Sequence, residues 1–201
     1  MKMEKIQVSQ NTKDAIIGIL NNETSSINQK IADLRIVVKN ISNLPLPLFK
    51  LIDSKLKGIY GSEYLISQGN YESLIEFYKF LNHKFPDLAE ILCSLGDVYL
   101  LDKQYNKSFD TFNKAFYKEP LLLFTAPGEL QEYLDKYGND SQKKYYRISF
   151  VRALILDDSL DDAIEEYDEI IQTYGSDNEI IKNCLQDPII QQQLSQLYSS
   201  T

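Results

Sequence analysis

Residues 89–120, AEILCSLGDVYLLDKQYNKSFDTFNKAFYKEP, carry the pattern that decides the fold. Leu92, Leu95 and Tyr99 recur at three- and four-residue spacing, and so do Ser108, Phe112 and Ala115. This is the period of an α-helix with one buried stripe, and it predicts helices over about 89–101 and 105–118. Gly96 and Ser108 are the small residues of this segment's two stripes, and Tyr99 and Phe112 are large ones. Pro120 ends the second helix and sets the turn into the next segment.

Outward from this segment the helical period recurs, whereas two-residue alternation is scarce and Asn-Gly or Asp-Gly hairpin signals are absent. Pro45, Pro47, Pro86, Pro120, Pro127 and Pro188 all lie between periodic stretches or at their starts. Inside a helix each would cost roughly 3 kcal/mol. Turns are expected at Gly69-Asn70, Pro86-Asp87, Gly138-Asn139-Asp140 and Gly175-Ser176-Asp177. The expected class is all-α. With 201 residues, 43% hydrophobic and 25% charged, the chain has the composition of a globular protein with a core of useful size.

The spacing within 89–120 resembles the tetratricopeptide repeat. That family places a large apolar residue, Leu-Gly, Tyr, a small residue, an aromatic, Ala and Pro at fixed offsets over a repeat of about 34 residues. Leu92, Leu95, Gly96, Tyr99, Ser108, Phe112, Ala115 and Pro120 hold these places, with Leu92 for the usual Trp and Ser108 for the usual Ala. Thirty-four residues before Pro120 stands Pro86, and Gly69 to Asp87 matches the second half of a preceding repeat, with Tyr71, Leu74 and Tyr78 in its packing places. Its first helix is expected over about 55–67. It is degenerate there, with Gly58 at the Trp place and Ser62 at the Gly place.

Past Pro120 the register breaks. A short helix over about 127–137 is expected, with Pro127 in its first turn. A third repeat would begin near Lys144, where Ala163, Tyr167 and Ile170 match the second-helix places. The resemblance therefore implies a helical-repeat solenoid of two to three repeats over 55–201, with an irregular insertion around 121–143. Ile180 to Tyr198 would form a C-terminal capping helix or pair covering the last apolar face.

Residues 1–54 form a separate N-terminal helical extension in this reading. Ile17, Leu20, Thr24, Ile27, Ile31, Leu34, Val38 and Ile41 follow alternating three- and four-residue spacing, a heptad-like seam broken at Thr24. The cluster Asn21–Ser26 is placed to split it into two helices. The seam either docks on the first repeat or serves as a coiled coil, pairing with a partner or with a second copy. Leu44-Pro45-Leu46-Pro47-Leu48-Phe49 reads as an extended apolar connector.

Charge excludes one broad class. The net charge is −8, so a general nucleic-acid binder is disfavoured. Residues 1–57 carry nine Lys/Arg against five Asp/Glu, while Asp157–Glu179 holds ten carboxylates and no Lys or Arg, the pattern of a solvated helix face. MKMEKIQVSQ is followed by no signal-type apolar region, and no stretch is long and apolar enough to span a membrane. Cys93 and Cys184 make neither a disulfide framework nor a metal cluster, so a cytoplasmic location is expected.

Catalytic signals are absent. No P-loop, Gly-x-Gly-x-x-Gly, HExxH, Gly-x-Ser-x-Gly or CxxC occurs, and the one histidine, His83, reads as a surface residue. Asp157–Asp168 lacks the central Gly of a calcium loop and has Leu160-Asp161-Asp162-Ala163 at the turn. No enzyme, metal or cofactor is expected.

The resemblance implies a groove lined by the first helices of successive repeats. Transferred position by position, it comprises Ile59, Tyr60, Glu63 and Ile66; then Glu90, Cys93, Ser94, Asp97, Leu100 and Leu101; then Tyr145, Ile148, Ser149, Arg152 and Ile155. Glu63, Glu90 and Asp97 stand where some relatives place Lys and Asn to clamp a C-terminal carboxylate, so that ligand is disfavoured by repulsion. A basic-amphipathic or apolar protein segment suits such a groove. The functional expectation is a protein–protein interaction adaptor or scaffold. The alternatives are a dedicated chaperone for a secreted or assembling client and a noncatalytic regulatory subunit of an enzyme.

Overall fold

A computed structural model describes residues 8–60, 71–175, 186, 188 and 190–192. Among these residues the protein is helical throughout, with no strand. It divides into two compact units, Met1–Gln104 and Tyr105–Thr201.

The first unit contains α1 (Gln10–Asn21), α2 (Ile27–Lys39), α3 (Leu46–Tyr60), α4 (Glu72–Lys84) and α5 (Glu90–Leu101). Ser9 and Ser26 cap α1 and α2, each side chain accepting from the N–H three residues on. These caps satisfy donors that the helix cannot. The Asn21–Ser26 cluster divides the N-terminal segment as its composition predicts. Leu20, Ile31, Leu34, Val38 and Ile41 are buried, with Ile27 half-buried, in one core shared with α3, α4 and α5. The seam is thus used inside the chain. Ile17 departs from the expectation: it is 40% exposed, while Ile16 is fully buried. The break at residues 22–26 lets α1 take its own rotational phase, with Ile16 and Leu20 one turn apart on its inner face.

The expected extended connector is overturned. Pro45 and Pro47 do not keep the chain extended; α3 starts at Leu46, and the Pro45 carbonyl accepts from Leu48 and Phe49 N–H. First-turn N–H groups have no intrahelical partner, so proline costs little there and its fixed φ favours helix entry. Leu48, Phe49, Ile52 and Leu56 then fill the core. The helix expected over 55–67 accordingly begins earlier and includes 55–60; residues 61–67 lie outside those described. The 54/55 boundary falls inside α3.

The second unit contains α6 (Tyr105–Lys118), a 3-10 turn (Pro120–Thr125), α7 (Gly128–Tyr137), α8 (Asp140–Leu156) and α9 (Leu160–Tyr174). Ser108, Phe109, Phe112, Ala115 and Phe116 are the buried stripe of α6. Pro127 caps α7 at its expected start. Asn139 and Gln142 form a reciprocal capping box on α8. Ile148, Val151, Leu154 and Ile155 of α8 pack with Ala163 and Ile170 of α9 and with Ile190. Most of the expected capping segment, Ile180 to Tyr198, lies outside the described residues.

α5 and α8 end in the same way. After α5, Lys103 has φ +58, its N–H reaches Leu100 O, and Gln104 N–H reaches Tyr99 O. After α8, Asp158 has φ +63, its N–H reaches Ile155 O, and Ser159 N–H reaches Leu154 O. Both are Schellman closures with a non-glycine residue in the left-handed position. The two turns lie 55 residues apart, the offset at which the third repeat is expected. Lys103→Gly and Asp158→Gly are each expected to stabilise by about 0.5–1 kcal/mol, because glycine occupies this region without steric cost. Urea midpoints check this; a lowered midpoint for both variants would contradict the turn assignment.

Candidate partner-binding face

One side of α5 presents Glu90, Cys93, Asp97, Leu100 and Leu101, which recur at helical spacing. Leu101 is exposed, and the other four are half-buried. Ser94, the sixth expected residue here, is buried and donates its hydroxyl to the Glu90 carbonyl at 3.2 Å.

Beside this face lies a polar network that the sequence pattern did not indicate. Lys57 on α3 stands between Asp53, at 3.1 Å, and Asp97, at 2.7 Å. Tyr78 on α4 is fully buried and donates its hydroxyl to Asp53 Oδ1 at 2.8 Å. The network thus joins α3, α4 and α5. Burial works against the Lys57 charge, but Asp97 and Asp53 more than offset it, so the ammonium titrates above its ordinary value. Asp97 is therefore no longer a simple negative charge offered to a ligand. Glu90, by contrast, is in no ion pair among the described residues.

Cys93 sits within this acidic setting. Burial first, then Asp97 and Glu90, push its thiol up to about 12, with Lys57 acting weakly the other way. Thiolate is the reactive form of cysteine. Against an ordinary value of 9.0, native thiolate at pH 8 is rarer by about a thousandfold. Iodoacetamide labelling of the Cys93 peptide, followed by mass spectrometry, is expected to slow by about that factor relative to the urea-unfolded chain. Equal rates would contradict the site as described.

The remaining expected residues separate. Ile59 and Tyr60 lie at the end of α3. Ile59 lines an open cleft of about 590 Å³ together with Leu20, Asn21, Lys30, Lys55 and Gly58. Glu63 and Ile66 fall outside the described residues. In the second unit, Ile148, Ser149, Arg152 and Ile155 are buried and Tyr145 is exposed. Arg152 lies over the Tyr117 ring at 5.1 Å and donates to the Tyr117 carbonyl. Of these five, Tyr145 is the one accessible to a partner.

A second lysine was also not indicated by the pattern. Lys30 is only 5% exposed, and its ammonium donates to the carbonyls of Ile19, Leu20 and Asn22 at the end of α1. Three donors meet three acceptors where the helix dipole is negative.

Among the described residues no group of His, Cys, Asp and Glu is placed to hold a metal ion, and no helix is long and apolar enough to cross a membrane. Comparison with models of known protein families, with curated proteins and with solved structures found no match.

Proposed function

We propose that the protein is a helical-repeat adaptor that binds a segment of another protein along the open side of α5. The observation that carries this reading is the α5 face itself. Leu101 and half-buried Leu100 offer apolar surface at one end of this face and Glu90 a carboxylate at the other, while the Lys57 network holds the helix against α3 and α4. A rigid helical face with apolar positions at one end and an acidic position at the other suits an apolar or basic-amphipathic segment. The resemblance of residues 89–120 to a tetratricopeptide repeat supports the same use by analogy.

The test is affinity capture from a native lysate of the source organism, with wild type beside Glu90→Lys/Leu101→Asp. Both substitutions avoid the Lys57 network, and circular dichroism checks that the variant is folded. Proteins captured by wild type and lost from the variant support the assignment. Identical capture by both removes this face from consideration.

A further inference from the structure

The second unit presents a connected set of aromatic rings at its surface. Tyr133 and Tyr137 lie four residues apart on α7, one turn from each other on the same side. Their ring centroids are 5.9 Å apart, and Tyr105, the first residue of α6, stacks on Tyr133 at 4.7 Å with 14° between the planes. Tyr133 is half-buried and carries the other two, of which Tyr105 is exposed and Tyr137 is 63% exposed. Core packing does not account for two rings held this far in water, and contiguous exposed aromatics are the kind of surface that partners use.

A polar group beside the rings is fixed in orientation. The Asn106 side-chain oxygen accepts from the Tyr133 hydroxyl at 3.3 Å and from Gln142 Nε2 at 3.4 Å. Gln142 is itself held, because its Oε1 accepts from Asn139 N–H in the cap of α8. Two donors on one oxygen turn the Asn106 NH2 group away from both. Asn106 is exposed, and those two N–H donors have no partner among the described residues. The amide thus has donors to offer and no acceptor left.

We infer that the surface of Tyr105, Tyr133 and Tyr137 docks a proline-rich segment of a partner protein in the polyproline II conformation. Proline rings stack on aromatic faces, and the carbonyls of this conformation have no internal hydrogen bonds. Proline also lacks an N–H, so such a ligand offers acceptors only. That matches an amide whose own acceptor is spent. A sugar hydroxyl both donates and accepts, and its donor would go unmatched there. Lys136 Nζ lies over the Tyr137 ring at 5.0 Å, so a basic segment is repelled where an uncharged one is not. The two centroid steps together cover about one polyproline II turn, roughly three residues at 3.1 Å each. The inference rests on the adaptor reading for the existence of a partner, but it places contact on α6 and α7 and not on α5.

The probe is a fluorescently labelled oligoproline of about ten residues. Its companions are a labelled glycine–serine peptide of equal length and a labelled linear glucose oligosaccharide. Binding to the full chain is followed by fluorescence anisotropy, and circular dichroism checks that each variant is folded. The oligoproline should bind wild type and Glu90→Lys/Leu101→Asp alike, which separates failure of this inference from failure of the α5 assignment. Tyr105→Ala/Tyr137→Ala removes the two exposed rings, leaves Tyr133 in place, and should weaken binding about tenfold or more. Tyr137→Phe keeps the ring and should stay within about threefold. Asn106→Asp keeps an acceptor for Tyr133 and Gln142 but loses the N–H donors; it should weaken binding severalfold, and this exposed position tests the site by itself. Tyr117→Ala removes an exposed ring near the other end of α6 and should leave binding within about twofold.

The inference is overturned if the oligoproline does not bind, or if the glycine–serine peptide binds equally well. It is equally overturned if Tyr105→Ala/Tyr137→Ala and Asn106→Asp bind like wild type, or if Tyr117→Ala weakens binding as much as they do. An oligosaccharide that binds wild type and is lost from Tyr105→Ala/Tyr137→Ala, with the oligoproline unbound, would assign the rings to a glycan and also overturn it.

Discussion

Replacing Lys30 by methionine is expected to destabilise the protein by about 2–4 kcal/mol, seen as a fall in melting temperature of about 10 °C. Methionine keeps the length and apolar stem of the side chain, so packing loss is small. What disappears is the ammonium that meets the carbonyls of Ile19, Leu20 and Asn22. The bond to Leu20 is buried, and a buried acceptor left without a donor bears the full desolvation penalty. Lys30→Arg should recover little, because a planar fork cannot direct three donors to acceptors that converge on one atom. Lys50→Met serves as the control: Lys50 is exposed and should change stability by less than about 0.5 kcal/mol. If Lys30→Met melts with Lys50→Met, the cap is not a determinant of the fold.

The Lys30 contact shows where sequence patterning stops. α5 and α6 were legible because Gly96, Tyr99, Phe112 and Pro120 encode local geometry at fixed offsets, and the helices fall within a residue of expectation. α3 was misread at its start because proline has two local meanings, extended connector and first helical turn, and the choice depends on whether Leu48, Phe49 and Ile52 have a core to enter. One phase carried across the break at residues 22–26 points to Ile17, whereas the reset phase of α1 buries Ile16.

The candidate site divides in the same way. Glu90, Cys93, Asp97, Leu100 and Leu101 share a face because helical spacing alone puts them there. Lys57 and Tyr78 could not be found from spacing. They enter through long side chains reaching between helices, and those reaches follow from tertiary packing. Asp97 is for that reason a paired, partly covered carboxylate and not a free groove charge. Spacing gives Tyr78 a packing role, and its hydroxyl also donates to Asp53.

Removing that bridging charge is the second large effect. Lys57→Met is expected to cost about 1–3 kcal/mol, since it leaves Asp53 and Asp97 facing each other with side chains only 14% and 24% exposed. The Lys57 side chain is itself 41% exposed, so solvent screening holds the cost below that of a fully buried pair. Adding Asp97→Leu should recover about 1 kcal/mol, because the double variant leaves only Asp53, with Tyr78 still donating to it. Two independent, additive losses would refute the coupling. The network also sets an alkaline limit. The raised value of Lys57 means that its contribution is complete below the ordinary lysine range and is lost as pH climbs through the folded value. Cys93 acts in the same direction: above pH 9 the unfolded chain gives up the thiol proton while the folded chain holds it to about 12, so unfolding becomes easier as pH rises between these values. Each such group contributes at most about 1.4 kcal/mol per pH unit. Cys93→Ala should therefore flatten the fall in stability above pH 9, whereas Lys57→Met, by removing the cation that holds the thiol down, should slow Cys93 alkylation further. A Cys93→Ala profile parallel to wild type from pH 9 upward would show that the thiol is not held among these carboxylates.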